Sequence, residues 1–243
     1  MRAVLVLVFW IGFVSGALAQ DIDSNKQRCR DVNANLDLKI GACTWLLNSG
    51  QLQEKNAAIA FNNRGLAYYS KGEHDRAIQD FNQAIILNPD NADAFYNRGI
   101  AYENKGRPDR AIQDYDQAIR LDPDDTEAFI NRGNAYVNKS QYDRAIQDYD
   151  RAVHLKPDAA KVFYNRGIAY DNKGQYDRAI RDYDQVIRLN PNEAKAFNNR
   201  GTAYANKGQY DRAIQDYEQA VAIDPEFVEA IENRALAYRA KNR

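Results

Sequence analysis

The residue types best suited to chemistry are scarce in this sequence. It holds two cysteines, Cys29 and Cys43, and two histidines, His74 and His154, among 243 residues. A structural zinc site takes four ligands, and both histidines lie far along the chain from the cysteines. No metal centre and no cofactor site is therefore expected. The sequence carries no glycine-rich phosphate loop, no H-E-x-x-H and no G-x-S-x-G. Carboxylates are plentiful, with 34 Asp and Glu, and a D-Y-D string recurs, as at Asp114 and Asp116. On a helix, residues i and i+2 do not face each other, so this string reads as a solvated face rather than an acid pair. His74 and His154 are expected at the surface. No catalytic residue is assigned, and the chain is read as a non-enzyme.

Abundant residues carry the pattern instead. Phe61, Phe95, Phe129, Phe163 and Phe197 each open a near-identical string, and each lies 34 residues after the last. Within a string, Phe95, Gly99 and Tyr102 share one helical face. Glycine in mid-helix costs about 1 kcal/mol against alanine. Gly65, Gly99, Gly133, Gly167 and Gly201 bear that cost five times, which implies close approach of a second helix. The small residues Ala77, Ala111, Ala145, Ala179 and Ala213 are the expected partners. Gly72, Gly106, Gly174 and Gly208 suit a left-handed helix C-cap, and Ser140 replaces glycine in the third string. Asp75, Asp109, Asp143, Asp177 and Asp211 open the second helix, near the positive end of its dipole. Pro89, Pro123, Pro157, Pro191 and Pro225 close each unit.

A 34-residue helix–turn–helix with G-x-x-Y, A-x-x-x-F/Y and a terminal Pro resembles the tetratricopeptide repeat. The resemblance implies an all-α, right-handed α-solenoid of stacked helix–turn–helix repeats. Five repeats are expected at 58–91, 92–125, 126–159, 160–193 and 194–227, with a C-terminal capping helix at 228–243. One departure is systematic. The family's usual Leu before the glycine is Arg here, at Arg64, Arg98, Arg132, Arg166, Arg200 and Arg234. Asp80, Asp114, Asp148, Asp182 and Asp216 recur with the same period, so the two sets are expected either to pair between helices or to remain separate solvated charges.

Members of this family bind extended or helical peptide segments in a concave groove lined by the first helices. By resemblance, the groove positions are Tyr96, Asn104, Asn134, Asn138, Lys161, Tyr164, Asn172, Lys195 and Asn206. Amides and tyrosines suit hydrogen bonding to peptide backbone. A further asparagine recurs at Asn63, Asn97, Asn131, Asn165 and Asn199, and its regularity fits bracing of adjacent helices better than one ligand. Some members grip a partner's C-terminal carboxylate with Lys, Asn and Arg. Here Asn stands where that Arg would be, so binding of that type is not expected.

Residues 1–19 combine a positive start, an apolar run from Ala3 to Val14 and the triplet Ala17-Leu18-Ala19, the pattern of a cleaved secretory signal peptide. An uncleaved anchor is the alternative, at the short edge of a membrane span. Export would place Cys29 and Cys43 in an oxidising compartment, where a disulfide is expected over free buried thiols. They fall in a cap, 20–57, whose stretch 37–50 reads as one amphipathic helix offering Ile40, Trp45 and Leu47 for burial. The expected location is a bacterial periplasm or the medium, with no membrane span after cleavage.

Charge narrows the partner. With 33 Lys and Arg against 34 Asp and Glu, no excess positive charge is available for nucleic acid. The expected function is a protein–protein interaction scaffold binding a peptide segment. The alternatives are a structural spacer or an accessory to an envelope enzyme.

Overall fold

The computed structural model describes residues 20–242. The expected signal peptide at 1–19 lies outside the described residues. Every regular element among them is helical. The chain divides into two compact units between Pro123 and Asp124.

The first unit holds a helical segment over residues 20–30 (α1), then α2 (Leu36–Asn48), α3 (Glu54–Ser70), α4 (His74–Leu87), α5 (Ala92–Asn104) and α6 (Pro108–Leu121). From α2 onward, each helix packs on the next, and α3 also touches α5. The second unit holds α7 (Thr126–Asn138), α8 (Tyr142–Leu155), α9 (Ala160–Asn172), α10 (Tyr176–Leu189), α11 (Ala194–Asn206), α12 (Tyr210–Ile223) and α13 (Val228–Lys241). Here too consecutive helices pack, and the alternate helices α7, α9, α11 and α13 touch in sequence. Each unit is thus a stack of helix pairs. Among the described residues, no helix is long and apolar enough to cross a membrane.

The local signals act as their chemistry requires. Gly72, Gly106, Gly174 and Gly208 have φ of +77°, +66°, +69° and +72°, and each closes a first helix. Ser140 adopts φ +57° at the same place, bearing the strain that glycine avoids. Each second helix stops two residues before its proline, as α8 at Leu155 before Pro157.

The mid-helix glycines have a different partner from the one expected. A Cβ on Gly133 would lie 2.7 Å from Cε1 of Tyr149, and one on Gly167 would lie 2.7 Å from Cε1 of Tyr183. Phe81, Tyr115 and Tyr217 fill the same gap at Gly65, Gly99 and Gly201. The glycine makes room first for an aromatic ring of the second helix, and at Gly201 the backbone of the expected partner Ala213 also comes within 3.2 Å. These rings are the best-buried large side chains of the core, and Ala111, Ala145 and Ala179 are buried beside them.

The recurrent arginine and aspartate do pair. Nε and Nη2 of Arg64 donate to the two carboxylate oxygens of Asp80 at 2.8 and 2.7 Å. Arg98 with Asp114, Arg132 with Asp148, Arg166 with Asp182 and Arg200 with Asp216 repeat this fork. The aspartates are 4–5% exposed, so these are not solvated charges. Burial opposes the charge on Arg166, and its bonds to Asp182 and Asp150 overcome that cost, so its pKa lies above the usual arginine range.

The remaining Nη1 reaches backwards. Arg98 donates to Asn82 at 2.6 Å, Arg166 to Asp150 at 2.7 Å and Arg200 to Asp184 at 2.6 Å. In the second unit the D-Y-D string is therefore only in part a solvated face. Its first Asp, Asp148 or Asp182, is buried on the arginine of its own pair, and its second, Asp150 or Asp184, stays exposed and receives the arginine of the following pair. Phe163 lies under the Arg166 guanidinium at 5.5 Å, and the other four Phe–Arg pairs keep 5.4–5.6 Å.

At the N-terminal side, Cys29 and Cys43 form a disulfide that ties α1 to α2. The buried face of α2 is Lys39, Ala42, Cys43 and Leu46, with Trp45 left 36% exposed and Ile40 and Leu47 only half-buried. The expected face was turned by about one residue, because the disulfide draws Cys43 to the centre. Helix α3 also starts at Glu54, ahead of the first repeat expected from 58, since no Pro or Gly lies between Gly50 and that repeat to hold it off.

Candidate binding face

First helices of neighbouring pairs are joined side by side through amides. Asn97 donates to Asn62 at 3.1 Å in the first unit. In the second, Asn199 donates to the Tyr164 hydroxyl at 3.1 Å and Asn233 to Asn198 at 3.0 Å. Asn165 faces Ile130 at the corresponding register, so it turns to Asn134 instead, at 3.0 Å. Of the recurrent asparagines, Asn97, Asn165 and Asn199 thus brace neighbouring first helices.

The aromatic rings that fill the glycine gaps project their hydroxyls through to the first helix. Tyr115 donates to Glu103 at 3.0 Å, Tyr149 to Asn134 at 2.7 Å and Tyr183 to Asp171 at 2.7 Å, while Tyr217 shares a bond with Thr202 at 3.2 Å. The acceptor differs each time, so this row varies over a fixed frame. Burial pushes the Asp171 carboxyl up to about 6, against the lowering effect of the Tyr183 bond, and its Oδ1 has no hydrogen-bond partner. Burial raises Glu103 for the same reason. It also raises the Tyr164 hydroxyl, which the Asn199 amide partly offsets.

Five of the nine expected groove residues come together in the second unit. One cleft of about 380 Å³ is lined by Asn134, Val137, Asn138, Tyr149, Lys161, Asn165 and Ile168. A second, of about 290 Å³, is lined by Ala160, Lys161, Tyr164, Val186, Asn190, Glu193 and Lys195. Lys161 lines both. Its Nζ is 3.5 Å from Glu127, a loose contact on an exposed side chain.

The other four stand apart. Tyr96 lies in the first unit against Tyr115, with ring centroids 6.0 Å apart. Asn104 donates to Tyr69 and to the Ile100 carbonyl, and Asn172 to the Ile168 carbonyl, which commits both to their own helices or neighbours. Asn206 is exposed and lines neither cleft. Sequence reasoning missed Tyr149 and Val186, which reach the clefts from second helices. The five-fold Gly–aromatic spacing was the available signal for Tyr149. His74 is half-buried rather than at the surface, with its ring centroid 5.2 Å from that of Tyr69.

Among the described residues, no group of His, Cys, Asp and Glu could hold a metal ion. A tetratricopeptide-repeat profile matches residues 51–92, 62–126, 96–161, 130–194, 164–226 and 198–243. The chain belongs to the tetratricopeptide-repeat family. It is an all-α tetratricopeptide solenoid, a protein-interaction architecture, and nothing in these matches indicates a catalytic family. Among solved structures it is similar to YrrB, described as a tetratricopeptide protein with an unusual peptide-binding site. That match has 26% identity and a TM-score of 0.71, and covers 81% of this chain and 99% of YrrB. It is also similar to MamA, at 27% identity and a TM-score of 0.66, covering 71% of this chain and 94% of MamA. A tetratricopeptide protein from Parabacteroides merdae, at 19% identity and a TM-score of 0.73 over 92% of this chain and 88% of its own, shares the fold. No curated protein sequence matches the chain.

Proposed function

We propose that this tetratricopeptide protein is a non-enzymatic adaptor that holds an extended peptide segment of a partner protein across the first-helix face of its second unit. The observation that carries the reading is the pair of adjoining clefts that share Lys161. Together they offer what a peptide needs. Asn138 supplies an amide donor and acceptor for its backbone, and Asn134 and Asn165 add only the amide atoms that their bracing bonds do not use. Val137, Ile168 and Val186 supply apolar floor, and the Tyr164 ring supplies a rigid wall. Lys161 and Lys195 favour an acidic side chain on the segment. The peptide-binding site attributed to YrrB supports this class of ligand. The buried Cys29–Cys43 disulfide supports export to an oxidising compartment such as a bacterial periplasm.

The test is capture from envelope extract with residues 20–243, oxidised, against the same chain with Asn138→Ala, Lys161→Ala and Lys195→Ala. All three side chains are exposed, so the substitutions leave the stack intact. A protein held by the first and lost by the second is expected. Equal recovery from both would overturn the assignment of the clefts, and no recovery from either would favour a spacer.

A further inference from the structure

Helix α13 repeats the first-helix pattern with one change: Ala235 stands where the five preceding first helices have glycine. In those five, a Cβ at that position would lie 2.7–2.9 Å from an aromatic ring carbon of the second helix. Ala235 has that Cβ. A second helix bringing an aromatic ring in the usual register cannot seat there, so the face of α13 is shaped for a different neighbour. That face is open. Val228, Ile231 and Tyr238 are 62%, 37% and 44% exposed, and Ala235 is exposed between them. Val228, Ile231, Ala235 and Tyr238 follow one another at spacings of three, four and three, the seam of a two-helix contact with a small residue at its middle.

We propose that this seam joins two copies of the chain, with their α13 helices antiparallel about a two-fold axis beside Ala235. Charge decides the occupant and the direction. Glu232 and Arg239 are exposed on the same flank of the seam, nearly equidistant from Ala235 on either side. Antiparallel pairing sets Glu232 of each copy beside Arg239 of the other. Parallel pairing would turn this flank of one copy away from the same flank of the other, so the Glu232–Arg239 contacts could not form. A two-fold contact needs a patch complementary to itself, and this flank has that property. Arg234, on the other flank, is half-buried. Fourteen helical residues span only about 21 Å. The contact is therefore small, and association is expected in the range of roughly ten to a few hundred micromolar.

Sedimentation equilibrium on oxidised residues 20–243 tests this. The chain is expected to pass from monomer to dimer, and no further, across that range. Glu232→Arg and Arg239→Glu are each expected to weaken association by about tenfold or more. An equimolar mixture of the two variants is expected to recover it, because the introduced charges then face each other and the native pair does too. Ala235→Lys, which places like charges at the axis, is expected to abolish it. Each position is exposed, so helicity by circular dichroism is expected to match the parent. A monomer at every concentration, growth beyond the dimer, variants that associate like the parent, or a mixture that fails to recover would each overturn the proposal.

Discussion

Single atoms decide the energetics at two positions of the second unit. Replacing glycine by alanine within a helix ordinarily stabilises it by about 1 kcal/mol. At Gly133 the added methyl would lie 2.7 Å from Cε1 of Tyr149, a ring that is 1% exposed and cannot withdraw. Overpacking of this kind costs about 1–3 kcal/mol, so Gly133→Ala is expected to lower the midpoint of urea unfolding despite its better propensity. At Asp171 the deciding atom is the unpartnered Oδ1. Its carboxyl titrates near 6 in the folded chain and near 4 when unfolded, so the folded state binds the extra proton between those values. Stability from this group is present below about pH 4 and is lost as pH rises through 6. Allowing for solvent at its open side, the ionised form costs about 1–2 kcal/mol at neutral pH. Asp171→Asn keeps an acceptor for Tyr183 and removes that charge. Chemical denaturation should find the variant more stable than the parent by about that amount at pH 7.5 and equal to it at pH 4.

Between elements, the Arg–Asp fork is the recurring joint, and Arg166 shows what it holds. Its loss would leave Asp182, 4% exposed, as an unpaired buried charge. Such a loss costs about 3–5 kcal/mol, whereas replacing both partners by apolar groups is often close to neutral. Arg166→Ala is expected to fall in that range. The double variant Arg166→Leu with Asp182→Leu is expected to recover most of the loss in the same thermal or urea melt. A single variant no worse than an ordinary surface change would show that the fork contributes little. This joint also marks how far the sequence could be read. The common period of Arg166 and Asp182 made their pairing legible, and the 34-residue spacing of glycine and proline made the helix pairs legible. The role of Asp150 was not, because the rule that i and i+2 do not meet holds only within one helix. Its arginine arrives from the next pair. In the same way, the residue filling the Gly133 gap depends on how two helices are rotated against each other, which spacing along one helix does not specify. The clefts at Lys161 were legible on their first-helix side, through Asn134, Asn138, Tyr164 and Lys195. They were hidden on the second-helix side, where Tyr149 and Val186 complete them.

For the whole molecule, stacked pairs with mostly neighbouring contacts predict that stability falls towards the ends of the array. The two ends of this chain are built differently, so the fall is not symmetric. Helix α13 is packed on α12 and α11 by a narrow face, with only Ala230 and Ala237 buried. At the other end, α1 is tied to α2 by a disulfide closing a separation of 14 residues, which stabilises by about 3 kcal/mol in the chain-entropy account. Both sulfur-bearing residues are at most 2% exposed, and Ala42, Leu46 and Ala60 form one buried cluster with them. Amide hydrogen exchange on the oxidised chain, below the concentration at which it self-associates, is therefore expected to find α13 the least protected helix of the second unit. Helix α2 should then be protected nearly as well as α3. Reduction should lower protection in α1 and α2 and, more weakly, in α3, while leaving α9 and α10 as they were. Uniform loss across all helices on reduction would mean that the chain unfolds as one cooperative block, and nearest-neighbour stacking would not describe it.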